Sequence, residues 1–278
     1  MDYVILVSEA LGPARPGIYD SAGTRLGEGP DEVSYWTPTP SPDGSRLMIQ
    51  RADSPTEEAR FAVIEHDGST TEIDALVIGH GCWDWHTNDE LLVAHIGEEA
   101  TELEVLRLDD GAVAPITTLP GKWCVAHRDE RSAVVVGADL EGRNDVAVID
   151  LQSGELNRVV TVDCNLGHVR VSPDGGTIAT SAACADAAPE STTGATQSEI
   201  LIIDVDSGGL RRIQDGVWTS PSFTPDGRSI IAADLAPSGT PEASRVIRID
   251  LDTDERTILI EGQSTILPVV VPGSWRPK

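Results

Sequence analysis

A turn motif that recurs at nearly constant spacing constrains the fold of this chain more than any other feature of its sequence. It is clearest at 169–181, where an apolar segment runs into Ser-Pro-Asp-Gly and a second apolar segment follows. Proline presets the backbone at the second turn position, and glycine accepts the positive φ that closes the turn. Clear copies lie at 40–49 and 222–233, and eroded copies lie at 85–93 and 126–136.

The five turns are evenly spaced along the chain. The turn Asp, or the Asn in its place, stands at positions 43, 88, 129, 174 and 226. Successive copies are therefore roughly 45 residues apart, which is the period of a propeller blade. A second repeat, an apolar strand running into an acidic turn, occurs between them at 17–23, 61–68, 103–111, 146–154, 200–208 and 246–253. Each unit thus contains two hairpins, with strands a and b in the first and strands c and d in the second.

The sequence contains six c–d hairpins but only five complete a–b hairpins, so one unit is split between the chain termini. Its strand a is predicted at 265–275, where Pro268 and Pro272 take the places of Pro221 and Pro225 in the preceding unit. Closing the ring in this way hides sheet edges that would otherwise face solvent. The sequence predicts an all-β, single-domain, six-bladed β-propeller over 1–278, with blades at about 28–74, 75–119, 120–162, 163–214, 215–260, and 261–278 plus 1–27.

These motifs resemble the TolB-like, Ser-Pro-Asp-Gly type of propeller repeat over nearly the whole chain. The resemblance implies the fold. It does not imply one function, because such propellers serve as binding platforms, as gates on hydrolases and as enzymes.

The charge of the chain limits its partners. Forty-six acidic residues against 20 basic ones give a net charge of −26. Such a surface repels nucleic acid and anionic membranes, so neither is expected as a partner. No apolar stretch reaches the 18 residues that a membrane span needs. Two interpretations of the acidity stay open: solubility, or a protein partner docked on an acidic top face around the pore mouth.

Four cysteines, Cys82, Cys124, Cys164 and Cys184, match no zinc-binding spacing. The apolar run in the first seven residues is interpreted as a strand and not as a signal peptide. The sequence therefore predicts free thiols and a cytoplasmic location. The segment 184–199 has no large apolar residue to anchor it, which predicts a mobile loop. A lid over the pore and an unselected surface loop are both open interpretations of it.

Aromatic residues cluster where each strand a enters the pore mouth. Aromatics make up only 4% of the chain, yet Tyr35, Trp36, Trp123 and Trp218 all lie at this point of the repeat. A platform for a ligand and a simple plug of the channel are both open interpretations. An apolar pocket with a few placed polar groups is what a small-molecule site needs.

Several ionisable residues share that predicted pore mouth. His80 and His168 begin strand a of their blades, and Lys122 lies between them in order around the ring. Neutral imidazoles can transfer protons near pH 7 while a cation stabilises a developing anion. We therefore predict His80, His168 and Lys122 as catalytic residues. Substrate-binding residues are predicted at Tyr35, Trp36, Arg51, His95, Trp123 and Trp218. His86 and His127 replace the Ser of the two eroded turns and are expected to cap them.

The segment from Gly167 to Gly175, with a histidine just before the turn, also resembles the propellers of oligogalacturonate lyases. That resemblance implies a manganese ion held by histidines, and only His168 and, less clearly, His80 match. The sequence predicts no cofactor, with a manganese ion on His80 and His168 as the alternative. No Gly-x-Ser-x-Gly elbow occurs, which excludes a serine hydrolase. The sequence predicts a small-molecule-binding propeller, an enzyme of the lyase, isomerase or cyclase type with its site at the pore mouth; the alternative is a non-catalytic propeller that binds a protein or a ligand.

Overall fold

The computed structural model describes residues 3–9, 17–28, 38–51, 60–65, 67, 69–73, 81–184, 198–214, 216, 218–235, 244–263 and 266–275. Six four-stranded antiparallel sheets contain most of these residues, and the predicted six-bladed propeller is confirmed. Helix is limited, in the described ranges, to one 3-10 turn at Gly273–Trp275. None of the described segments forms a helix long and apolar enough to cross a bilayer.

Five of the six sheets are built from consecutive strands. The first holds β4 (Thr39–Pro40), β5 (Arg46–Arg51), β6 (Arg60–Glu65) and β7 (Thr70–Ile73). The second holds β8 (Gly81–Trp85), β9 (Glu90–Ile96), β10 (Ala100–Arg107) and β11 (Val113–Pro120). The third holds β12 (Lys122–His127), β13 (Ser132–Ala138), β14 (Asn144–Asp150) and β15 (Leu156–Val162). The fourth holds β16 (Cys164–Val171), β17 (Thr177–Cys184), β18 (Glu199–Asp204) and β19 (Leu210–Ile213). The fifth holds β20 (Trp218–Phe223), β21 (Ser229–Asp234), β22 (Ser244–Asp250) and β23 (Arg256–Gln263).

The sixth sheet joins the two ends of the chain. It orders β24 (Ile266–Pro272), β1 (Tyr3–Glu9), β2 (Gly17–Asp20) and β3 (Arg25–Glu28). Strand β24 pairs with β1 in unbroken register, from Tyr3 opposite Pro272 to Glu9 opposite Ile266. The predicted closure by the C-terminal strand is confirmed.

Apolar clusters fill the spaces between neighbouring blades. Both faces of a blade are covered by other blades, so a middle strand carries apolar residues on both faces and does not alternate with polar ones. Strand β18 is an example, because Ile200, Leu201, Ile202 and Ile203 are all buried. Ile200 and Ile202 pack towards the fifth sheet, while Leu201 and Ile203 pack towards the third. The core is therefore a ring of interblade layers.

The Ser-Pro-Asp-Gly turns are held by their own side chains. In the fourth sheet the Ser172 hydroxyl donates to Asp174 Oδ1 at 2.6 Å and accepts the Thr177 N–H at 2.9 Å. Gly175 has a φ of 74° there, as the turn requires. The Ser172 hydroxyl bond lowers the pKa of Asp174, and the Gly176 N–H lowers it further. The turn repeat is thus a structural element of the hairpin, which accounts for its recurrence.

All four cysteines are paired, so the prediction of free thiols is wrong. Cys82 of β8 bonds to Cys124 of β12 in the next blade, and Cys164 of β16 bonds to Cys184 of β17. Their Cα atoms lie 5.1 and 4.0 Å apart. Spacing along the chain did not reveal Cys82–Cys124, because the two cysteines lie in different blades, and Cys164–Cys184 are opposite each other across the β16–β17 hairpin. Most of the loop predicted to be mobile, residues 185–197, lies outside the described residues.

Candidate functional site

Three consecutive inner strands, β16, β20 and β24, line one side of the central channel. In β16 the pairing register with β17 shifts between Leu166 and Val169, and in β20 the register with β21 shifts between Thr219 and Ser222. Bulges at the same place in two neighbouring blades turn the intervening side chains away from the regular pleat. His168 and Ser220 are the residues that these two bulges present.

A narrow crevice lies between these strands. Its cavity volume is about 0 Å³, against the roughly 300 Å³ at which small-molecule pockets begin. The side chains pack so closely that the crevice is a narrow gap between strands and not an open cavity. Its walls are His168, Arg170, Ser220, Pro221, Ser222, Pro268 and Val269.

His168 is uncharged at neutral pH. Burial in the crevice, and to a lesser degree the positive charge of Arg170, lower its pKa from 6.5 to about 4. Arg170 donates from Nη1 to the Val169 carbonyl at 2.9 Å, and no described carboxylate forms an ion pair with it. The pair can therefore supply a neutral base beside a cation.

The hydroxyl groups of the crevice are fixed by the neighbouring backbone. Ser222 Oγ accepts the N–H of Val270 from the next blade at 3.2 Å. Ser220 has a φ of 50°, a conformation that residues other than glycine rarely adopt. Its hydroxyl lies 3.3 Å from that of Thr219. These contacts hold the crevice wall in a fixed conformation and leave the crevice closed.

Trp123 and Trp218 lie in interblade cores and not at an open ligand platform. Trp123 is 3% exposed, packs with Leu92 and Leu103, and donates from Nε1 to the Pro120 carbonyl at 2.7 Å. Trp218 is 1% exposed and packs between the fourth and fifth sheets. Their burial does not favour a substrate platform, and a role for Trp123 and Trp218 in substrate binding stays a prediction.

The other predicted site residues are dispersed. Lys122 is exposed at the start of β12 and does not line the crevice. His95 Nε2 lies 2.6 Å from Glu104 Oε1 on the adjacent strand, which engages its imidazole within the second sheet. Arg51 ends β5, and its side chain is outside the described part of the structure. Tyr35, Trp36 and His80 also lie outside the described residues.

The described residues do not fit the manganese alternative. Within the described ranges, no three His, Cys, Asp or Glu side chains cluster closely enough to hold a metal ion. His168 also has the Arg170 guanidinium as its charged neighbour, which disfavours a bound cation. A role for His80 with His168 stays a prediction, because His80 is not described.

Two crevice residues that were not predicted, Ser220 and Ser222, can be identified from the alignment of the repeats. Ser220 and Ser222 occupy the same places before their turn as His168 and Arg170 occupy before theirs. Reading all blades at the position of His168 would have identified Ser220. Their spatial approach depends on the paired bulges, which no sequence pattern marked.

A second candidate surface lies at the opposite end of the sheets from the predicted pore mouth. Because neighbouring strands are antiparallel, the a–b and c–d turns of every blade emerge at one end, which we call the turn face. Backbone bonds tie the two turns of a blade together, as from Val205 N–H to the Gly176 carbonyl at 3.0 Å. Its exposed acidic residues include Asp43, Asp67, Asp89, Asp109, Asp110, Asp129, Glu130, Asp174, Asp204, Asp206, Asp226, Asp252 and Asp254.

Two histidines of the turn face do not play the capping role predicted for them. The rings of His86 and His127 lie side by side, with centroids 5.9 Å apart. The Nδ1 atom of each is buried and has no hydrogen-bond partner among the described residues. Burial and the neighbouring His127 lower the pKa of His86.

Comparison with known proteins supports the fold and leaves the function open. No protein-family model matches the sequence, and no curated protein matches it. The solved TolB from Acinetobacter baumannii is 16% identical with a TM-score of 0.73, covering 98% of this chain and 66% of that one. A chain of a nidogen/laminin complex is 7% identical with a TM-score of 0.66, covering 98% and 99%. An oligogalacturonate lyase in complex with manganese is 15% identical with a TM-score of 0.52, covering 93% and 72%. The chain thus has a TolB-like propeller fold, shared by proteins of mixed function.

Proposed function

We propose that this chain is a non-catalytic interaction propeller that docks a cationic protein on its turn face. The observation that carries the proposal is the set of exposed carboxylates that the repeated turns place together at one end of the ring. Exposed arginines there are fewer, namely Arg25, Arg107, Arg131, Arg228 and Arg256, and several of the carboxylates pair with an arginine, as Asp110 does with Arg107. A face of one charge sign steers an oppositely charged partner and orients it.

The geometry of the channel weighs against catalysis as the main function. The crevice beside His168 is too narrow for a substrate, and neither Lys122 nor His95 lines it. Two of the four aromatic residues predicted to shape a substrate are buried between blades. The chain in the nidogen/laminin complex shows that a propeller of this shape occurs in a protein complex.

Exposed carboxylates that do not cap turns allow a clean test of the turn face. Asp206 is 90% exposed and lies 3.9 Å from Arg128, and Asp252 is 73% exposed and lies 3.7 Å from Arg228, so each belongs to a loose surface ion pair of little energetic weight. With Glu130, they make no turn-capping bond to a described residue, so their neutralisation should leave the fold intact. The test variant is the triple change Glu130→Gln, Asp206→Asn and Asp252→Asn. Its control is the triple change Glu98→Gln, Glu99→Gln and Glu141→Gln on the opposite face, where all three are exposed.

The assay is the fluorescence anisotropy of a labelled lysine-rich peptide at low and at physiological salt. Three exposed charge contacts contribute roughly 0.5 kcal/mol each, so the turn-face variant should bind about tenfold more weakly. The control variant should bind nearly as the parent does. Equal weakening by both variants would show that the acidity acts through net charge alone, and the docking proposal would then fail.

A second candidate function rests on His168. A neutral imidazole beside Arg170 is the combination that a proton-transferring lyase, isomerase or cyclase requires. That function needs the crevice to open around a small molecule. Thermal-shift screening of small molecules, with His168→Ala as the comparison, tests it. Ligands that stabilise the parent protein and not the variant would favour this candidate over the docking scaffold.

The location of the protein bears on the identity of its partner. A cytoplasmic location remains a prediction from the sequence. The two disulfides are more typical of an oxidising compartment, so the cysteines no longer support that location.

A further inference from the structure

The two turns in which histidine replaces the first hydroxyl residue lie next to each other at the boundary between the second and third blades. In the intact turns a hydroxyl stands at the first position, as Ser172 does, and stabilises the hairpin. Histidine takes this position in two described turns only, at His86 and His127. These turns belong to adjacent blades, and the two rings lie 5.9 Å apart at an interplanar angle of 63°.

Both imidazoles carry an unused ligand atom. Nδ1 of His86 and Nδ1 of His127 are buried, and no described residue offers either a hydrogen bond. A buried polar atom without a partner costs about 1–3 kcal/mol. Two such atoms at one contact are therefore an expensive arrangement unless a shared partner binds both of them.

The distance between the rings suits a metal ion shared by the two. A zinc–imidazole bond is about 2.0–2.1 Å long, which places the ion about 3.2 Å from the centre of each ring. Two rings on one ion then have centroids about 6.4 Å apart when they lie opposite each other, and about 5.2 Å apart at the tetrahedral angle that zinc prefers. The observed 5.9 Å lies between these values, so a small rotation of the rings brings them to the tetrahedral separation.

The residues around His86 and His127 add negative charge and hold the two turns rigidly. The carboxylates of Glu90, Glu130 and Asp129 are near enough to raise the proton affinity of His86 by their charge, and they would attract a cation in the same way. Asp84 Oδ2 accepts the backbone N–H of His127 at 3.0 Å, and the Cys82–Cys124 disulfide joins the same two strands. These links fix the two turns relative to each other, which reduces the ordering that metal binding requires.

We propose that His86 and His127 bind one divalent late transition metal ion, of the Zn²⁺ type, and thereby link the second and third blades. Imidazole nitrogen selects zinc, nickel or copper over magnesium and calcium, which prefer oxygen ligands. No third protein ligand completes the group within the described ranges, so a carboxylate brought in by side-chain rotation, or solvent, occupies the remaining positions. The proposal goes beyond the docking function and does not depend on it.

The test is a titration of the tag-free, disulfide-intact chain with ZnCl₂ by calorimetry, and with Co²⁺ by visible absorption. The matched variants are His86→Gln and His127→Gln. The control is His95→Gln, which removes an imidazole already engaged by Glu104. Circular dichroism and melting temperature establish that each variant is folded.

We expect one Zn²⁺ per chain and a visible Co²⁺ spectrum in the parent and in His95→Gln. Each of the other two variants should bind Zn²⁺ at least tenfold more weakly and lose the Co²⁺ bands. Absence of Zn²⁺ binding to the parent would overturn the proposal. Undiminished binding in both His86→Gln and His127→Gln would do so too, because it would place the ion on the acidic turns.

Discussion

Replacement of Trp275 tests whether the C-terminal segment holds the ring closed. This indole is 8% exposed and packs with Val4, Leu6 and Leu47 in the cluster that joins the split blade to its neighbour. Its Nε1 donates to the Gly44 carbonyl at 2.7 Å, at the turn of the first complete blade. One side chain thus connects the last residues of the chain to a turn more than two hundred residues earlier.

The magnitude follows from burial and the single hydrogen bond. Truncation of a buried Trp to Ala costs about 3–5 kcal/mol. For a domain of this size each kcal/mol lowers the melting temperature by about 2–4 °C, so Trp275→Ala should melt roughly 10 °C lower. Trp275→Phe retains most of the apolar bulk and loses only the N–H donor. It should lose about 1 kcal/mol and a few degrees.

Differential scanning calorimetry of the two variants is the assay. Deletion of residues 264–278 is the severe form of the same perturbation, and it should abolish cooperative unfolding because it opens the ring. An unchanged melting temperature in Trp275→Ala, together with a cooperative transition in the deletion, would refute closure as a source of stability.

Three further predictions concern the disulfides and two ionisable groups. Reduction of Cys82–Cys124 and Cys164–Cys184, which span 42 and 20 residues, should lower stability by about 3–4 kcal/mol each, measured as the shift of urea unfolding with and without reductant. The pKa of Asp174 is lowered in the folded protein, so this carboxylate stabilises the fold above about pH 4 and loses that effect as pH falls through its folded pKa. The melting temperatures of the parent and of Asp174→Asn should therefore converge in acid. The pKa of His168 is about 4 in the folded protein and 6.5 in the unfolded chain, so the unfolded chain binds the proton first as pH falls. The free energy of unfolding should therefore decrease between pH 6.5 and 4, and it should decrease less in His168→Gln. An imidazole NMR titration of His168 centred near pH 6.5 would contradict this placement.

The fold could be predicted from sequence because every blade repeats the same local chemistry. Ser172, Asp174 and Gly175 make their turn through contacts within a few residues, and a period of such turns specifies a ring. The split blade is predicted from the same repeat, because Pro268 stands where Pro221 stands in the preceding blade. Both lie on the inner strand, whose channel-side edge has no neighbouring strand that would need an N–H donor.

The site was harder to predict because it depends on which face of a strand each residue occupies. Strand positions alternate between faces, so a bulge or a shift of one residue moves a side chain from the channel to an interblade core. Trp218 was aligned to the pore mouth by its place in the repeat, yet its ring is buried between blades. The pairing of Cys82 with Cys124, and the approach of His86 to His127, depend on contacts between blades that chain spacing does not encode.

A crystal structure with ordered solvent is the most direct test of the central proposal, in which the propeller docks a protein and the crevice beside His168 is not an active site. We expect the space between β16, β20 and β24 to stay a closed crevice around His168, with a cavity volume of about 0 Å³ and with Trp123 and Trp218 buried between blades. A cavity of roughly 300 Å³ or more, in which Lys122 and His168 converge on one bound molecule, would contradict it.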